Sequence, residues 1–177
     1  EYIDKYCDTF DRRSFNTGFC YNANPDIQVI RTVEESGGNR IEKEIIRYKD
    51  ISFEKYISRG IDGTKIKPLL EEPEELDKVL SIPYVPPQPA LDRFFQEQEE
   101  LGDKGLMMAS TGDPLAPLYG LTSAENFSLW TATDYNRILH FLDEMYKRVY
   151  EFHKYLLERN VGDVYFIVGA EFAGPPL

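Results

Sequence analysis

The stretch that most limits what this chain can become lies near its carboxyl terminus. Ile138, Phe141, Leu142, Met145, Val149, Phe152 and Leu156 recur at three- and four-residue spacing. They place one apolar stripe on a single long helix, read as running from about Thr133 to Glu158. Asn160-Val161-Gly162 ends that helix, and Asp163 leads into Val164-Tyr165-Phe166-Ile167-Val168, a short apolar run bounded by glycine on both sides. Such a run reads as a parallel strand buried on both faces. The residues after it, Gly169 to Pro176, read as a loop carrying one carboxylate, Glu171. In barrels and doubly wound α/β folds, chemistry gathers just past the carboxyl ends of such strands. Glu171 is therefore the candidate catalytic group. It would accept a hydrogen bond from substrate, or move a proton if burial raised its pKa; the competing reading is a carboxylate that caps a following helix. Phe172 beside it is a candidate substrate contact. Asp163, at the opposite end of the strand, belongs to the face that serves stability.

A second strand is expected at Leu106-Met107-Met108-Ala109-Ser110, followed by a loop from Thr111 to Gly120. Gly112 permits close backbone approach to a ligand, while Pro114 and Pro117 limit the freedom of the loop. Asp113 and Tyr119 are its polar groups, and with Gly112 they complete the candidate substrate-binding set. Asp113 has a bland alternative as a turn former, and Tyr119 as a residue packed under the next helix.

These stretches resemble one family. A helix, Gly162-Asp163-Val164-x-x-Ile167, an acidic Glu171 and Ala173-Gly174-x-Pro176 are similar to a segment of the uroporphyrinogen decarboxylase superfamily. Gly105-Leu106-Met107-Met108-Ala109 with Gly112-Asp113-Pro114-Leu115 and Tyr119-Gly120 resembles the family's strand ending in a Gly-x-Pro loop. Lys65-Ile66-Lys67 followed by Glu72-Pro73-Glu74-Glu75-Leu76 resembles its Lys-x-Pro-Glu-Asp-Leu helix start. The resemblance covers roughly residues 65 to 177. It implies an α/β fold, part of a (β/α)8 TIM barrel, with a small-molecule substrate. The family's members are the decarboxylase and corrinoid-linked methyltransferases. The decarboxylase carries a hydroxyl residue where Glu171 stands, and another anion facing a polycarboxylate tetrapyrrole is unfavourable. Methyl transfer between a small methylated compound and a corrinoid protein is therefore the expected activity, porphyrinogen decarboxylation the alternative. A non-catalytic, incomplete barrel acting as an assembly module is the reading from another class.

Upstream, Ile27, Val29, Arg31 and Val33 alternate, Ser36-Gly37-Gly38-Asn39 turns, and Arg40 to Ile46 returns as an antiparallel hairpin, with Ile51–Ile57 as a third strand. This ribbon reads as an insertion, so residues 1–64 are expected to form an N-terminal segment and 65–177 a partial barrel. Residues 1–25 are aromatic without a clean period, either a lid over a pocket or a surface segment on a barrel whose first strand is missing. Pro73 with Glu74 and Glu75 opens a helix that Pro83 ends. Pro86-Pro87-Gln88-Pro89 is a stiff connector, and Leu91, Phe94, Phe95, Gln98 and Leu101 mark another helix. Ser123 caps a short helix, and Thr131 with Asp134 is expected to start the long one. His140 and His153 on that helix stand nearly 20 Å apart along its axis, and both read as surface residues.

A (β/α)8 barrel needs about 200 residues or more, so these 177 residues are expected to be part of a longer protein. A net charge of −11 opposes binding to nucleic acid or an anionic membrane. No apolar window approaches a membrane span of about 18 residues. Cys7 and Cys20 match neither a redox pair nor a zinc ribbon, and a cytoplasmic location follows as the expectation. No glycine-rich phosphate loop, His-Glu-x-x-His or nucleophile elbow is present. This segment alone is expected to hold no metal or cofactor; zinc and corrinoid enter only through the resemblance, for a longer chain. A homodimer remains open.

Overall fold

The structure is a computed structural model in which residues 9–169 are described. In chain order the elements are β1 (Thr9–Ser14), β2 (Gln28–Ser36), β3 (Asn39–Tyr48), β4 (Ile51–Gly60) and β5 (Gly63–Lys67), then α1 (Glu75–Ser81) and α2 (Asp92–Leu101). A 3-10 turn over Gly102–Lys104 leads to β6 (Gly105–Gly112), α3 (Leu115–Leu121), α4 (Ala124–Thr133), α5 (Tyr135–Leu157) and β7 (Val164–Val168). The chain is a mixed α/β fold with two sheets. One is parallel, in the order β1-β6-β7; the other is an antiparallel meander, β2-β3-β4-β5. Among the described residues the parallel sheet does not close on itself.

The alternation of side chains along β6 decides how the parallel sheet is used. Met107, Ala109 and Thr111 are buried on one face, where Met107 and Ala109 pack with Phe94 of α2 and with Val149, Phe152 and Leu156 of α5. The register aligns Phe10 with Leu106, and Ser14 with Ser110 and Phe166. On that second face Phe10, Leu106, Phe166 and Val168 are exposed, with the Arg12 guanidinium 4.8 Å over the Phe166 ring. The strand expected at Val164–Val168 is present and parallel, but not buried on both faces: Phe166 is 42% and Ile167 57% exposed. The cause is that β7 is an edge strand among the described residues.

Helix α5 is the spine. Ile138, Phe141 and Met145 enter a core with Ile46, Phe53, Leu70, Leu76, Leu118 and Trp130, while its later turns lie under the parallel sheet. Each such side chain contributes about 1.5–3 kcal/mol by leaving water. The helix starts at Tyr135 rather than with Thr131. Asp134 takes a non-helical conformation, φ −128°, and its carboxylate accepts from Arg137 at 2.9 Å and Thr133 at 2.7 Å. The Thr131 hydroxyl instead donates back to the Phe127 carbonyl at 2.7 Å. Ser123 does cap α4, accepting from the Asn126 amide at 3.1 Å.

The ribbon is larger than a hairpin, with four strands. Ile46 and Phe53, opposite each other on β3 and β4, are buried against the body, whereas every residue of β2, Val29 beside Ile46 included, is exposed. Position 64 falls inside β5, and β1, from the segment upstream of it, joins the parallel sheet beside β6. The parallel sheet thus has its strand before the ribbon; the polar Thr9-Phe10-Asp11-Arg12-Arg13-Ser14 hides it because one of its faces is solvated. The segment expected as a loop from Thr111 to Gly120 is the end of β6 and then α3. Pro114 precedes that helix and Pro117 lies in its first turn, where the missing N–H has no intrahelical partner to lose. No helix among the described residues is long and apolar enough to cross a membrane.

Candidate functional site

A cavity of about 460 Å³ lies past the carboxyl ends of β1 and β6. Its floor comes from the loop following β1, its side from Pro117, Gly120 and Leu121 of α3, and its roof from the meander. A second cleft of about 680 Å³ lies between β1 and α2. Its charges are already matched: Glu97 accepts from Arg13 at 2.5 Å and Arg93 at 2.9 Å. The first cavity stands where parallel-strand folds place chemistry.

The loop 16–22 builds the floor by turning back on itself. Gly18 has φ +70°, and a Cβ there would collide with the Asn22 carbonyl. Cys20 and Tyr21 both sit at φ +54°, a conformation that costs L-residues about 1–2 kcal/mol each. The surroundings hold it in place. The buried Asn22 donates to the Pro83 carbonyl at 3.1 Å, and its side-chain oxygen accepts from the Val85 amide at 3.0 Å. Tyr21 reaches β6: its hydroxyl accepts from the Gly112 amide at 2.8 Å. Burial raises the Tyr21 phenol pKa, the Gly112 backbone bond opposes that, and the Asp113 carboxylate adds to it. Arg148, 5% exposed, donates from Nη1 to the Cys20 carbonyl at 3.2 Å and lies 4.8 Å over the Tyr84 ring. Cys20 is partly covered as a residue, yet burial of its sulfur pushes the thiol up to about 12 despite that guanidinium.

One cross-strand row supplies the charges of the roof: Arg31, Glu44 and Lys55 stand side by side on β2, β3 and β4. Arg31 Nε meets Glu44 Oε2 at 2.5 Å. Lys55 makes no ion pair among the described residues. Phe19, Ile46, Leu69 and Leu121 form the apolar part of the lining.

Of the residues expected from sequence, Gly112, Asp113 and Tyr119 stand around this cavity rather than in its lining. Gly112 is one contact away, through Tyr21; a Cβ there would stand 3.0 Å from the Tyr21 hydroxyl. Asp113 turns the chain into α3, its Oδ1 accepting from the Ala116 amide at 2.7 Å, and its amide donates to the Val168 carbonyl at 3.0 Å. Tyr119 stacks edge-on with Phe127, centroids 6.2 Å apart. Glu171 and Phe172 lie outside the described residues. His140 is exposed, as expected. His153 is not a surface residue: it is half-buried, with Nε2 2.6 Å from the Thr111 hydroxyl, and burial lowers its pKa.

Sequence reasoning reached Tyr21 only as one of the aromatics of residues 1–25, with a lid over a pocket as one of two readings, and it missed Lys55 and Arg148. Only Tyr21 had a signal, the turn-forming run Asn22-Ala23-Asn24-Pro25 after Gly18. Lys55 and Arg148 read as ordinary solvated charges on a strand and a helix. No protein family, no curated protein and no solved structure matches the chain.

Proposed function

We propose that the chain is part of a uroporphyrinogen decarboxylase-like barrel enzyme that moves a methyl group between a small methylated compound and a corrinoid protein. The observation that carries the reading is the cavity at the carboxyl ends of β1 and β6, roofed by the antiparallel meander. The apolar side chains of Phe10, Leu106, Phe166 and Val168, exposed on the second face of the parallel sheet among the described residues, support it too, since sheets of this kind have both faces covered in complete α/β folds. A volume of about 460 Å³ suits a small molecule. Glu171 stands where the decarboxylase carries a hydroxyl residue, and a further anion facing a polycarboxylate tetrapyrrole is unfavourable, which favours methyl transfer over porphyrinogen decarboxylation.

A corrinoid would supply the cobalt centre that takes or gives the methyl group. No trio of His, Cys, Asp or Glu side chains converges among the described residues, so their donor set does not fit a zinc site and no step is assigned to one. What these residues do is exclude water and orient a substrate: Phe19, Ile46 and Leu121 cover its apolar part, and the Tyr21–Gly112 bond fixes the floor. Glu171 is assigned the role of proton acceptor or hydrogen-bond acceptor, with Gly112, Asp113, Tyr119 and Phe172 around the substrate path. The test is methyl exchange between cob(I)alamin and a panel of methylated amines, thiols and phenols, followed optically, beside a uroporphyrinogen decarboxylation assay. Methylcobalamin formation that is lost in Glu171→Gln supports the reading. Decarboxylation without methyl exchange replaces it with the alternative, and inactivity in both assays overturns it.

A further inference from the structure

We propose that the cavity beneath the meander takes a small organic anion with an apolar body, its acid group held by Lys55; this rests on the reading of that cavity as the substrate site. Ladder geometry places Lys55 directly opposite Glu44, the position where a cross-strand ion pair would form. That pair is not made, and Glu44 is instead paired with Arg31 at 2.5 Å. The other acid on β4 near it, Glu54, points to the opposite face and pairs with Lys43 at 2.9 Å. Lys55 is thus a half-buried ammonium in the cavity lining that makes no ion pair among the described residues.

A second cation lies behind the floor. Arg148 is almost fully buried, forms no ion pair among the described residues, and is held by the Cys20 carbonyl and the Tyr84 ring. Burial disfavours its charge, which Glu144 one turn earlier on α5 offsets only in part, and an anion in the adjoining cavity is a further counter-charge. In a chain of net charge −11, a cavity with cations in excess runs against the composition. Phe19, Ile46, Leu69 and Leu121 face the same space, so the occupant carries an apolar body as well as its acid group. A fully hydrophilic anion such as free phosphate would leave those side chains against water.

The test is calorimetric titration of the full chain with benzoate and hexanoate against their uncharged isosteres, benzamide and hexanamide. Methyl-labelled Ile46 and Leu121 report the place of binding by NMR. The acids should bind about tenfold more tightly than the amides, the range of a charge-assisted hydrogen bond. Lys55→Met should abolish the preference and Lys55→Arg should keep it. Equal binding of acid and amide, with both shifting the Ile46 and Leu121 signals, overturns the anion assignment and leaves the cavity as a substrate site. A preference that persists in Lys55→Met also overturns it. No perturbation of either signal by any of the four compounds overturns the inference together with the site on which it rests. Methyl exchange is read separately, so its failure is not confused with these outcomes.

Discussion

The Tyr21 hydroxyl oxygen lies 2.8 Å from the Gly112 amide nitrogen, and this contact ties the first loop of the chain to the end of its central parallel strand. The β1–β6 ladder stops at Ser14 and Ser110. Two residues later the β6 backbone still presents an N–H on that side, and a phenol from 91 positions upstream satisfies it. The strained geometry of Cys20 and Tyr21 is what aims the ring there. The bond therefore joins floor and strand end.

Tyr21→Phe removes the acceptor and leaves the Gly112 amide without a partner in a partly buried place. The expected loss is about 1–3 kcal/mol, read from urea unfolding. The Gly112 amide should also exchange with deuterium faster than its neighbours in β6. An unchanged exchange rate would show that another group or water serves that amide equally well.

Gly18→Ala and Gly37→Ala separate two costs that sequence alone merges. Both glycines have positive φ, +70° and +58°. At Gly37 a Cβ meets nothing within 4 Å, so only the left-handed conformation is penalised, by about 1–2 kcal/mol. At Gly18 the Cβ would strike the Asn22 carbonyl, so the loop must also open. The denaturation midpoint should fall clearly further for Gly18→Ala, and ligand binding in the cavity should weaken only in that variant.

Periodicity carried most of the fold. The α5 stripe, the β7 span and the alternation of β2 and β3 depend on neighbours in sequence, and each is where the residues put it. What failed needed partners. Arg12 and Arg13 made β1 look unlike a strand because one of its faces is wet. Pro114 and Pro117 made the start of α3 look like a loop because proline costs nothing before the helix's internal bonds begin. The site was less legible still. Gly112 and Asp113 do stand at the carboxyl end of β6, but the charges of the cavity come from Arg31, Glu44 and Lys55 sharing one cross-strand row, a three-strand fact with no linear trace.

His153 makes stability depend on pH in a definite direction. Burial depresses its pKa below the ordinary value of 6.5. Above pH 6.5 the ring is neutral in both folded and unfolded chains, and its contribution is fully present. As the pH falls from there through the folded pKa, the unfolded chain takes up the proton first and stability declines. Urea midpoints between pH 7 and pH 5 should therefore fall in the wild type. His153→Gln, which can still bond the Thr111 hydroxyl, should show a shallower fall. Equal slopes would mean that the ring does not titrate in this window.

Phe152 links the spine helix to the floor. It is 1% exposed, and its ring centroid lies 5.8 Å from that of Tyr21 and 6.1 Å from that of Phe15. Truncation to alanine opens a void under the parallel sheet and should cost about 3–5 kcal/mol. Alanine at Tyr150, exposed on the same helix, should cost under about 0.5 kcal/mol. The informative measurement is the double substitution. If Phe152 acts partly by holding the Tyr21 ring against Gly112, Phe152→Ala and Tyr21→Phe share one interaction, and their combined cost should fall short of additivity by more than about 0.5 kcal/mol. Additive costs would mean that the hydrogen bond holds without the ring packed behind it, and that the floor is pinned by Asn22 and the Pro83–Val85 backbone instead.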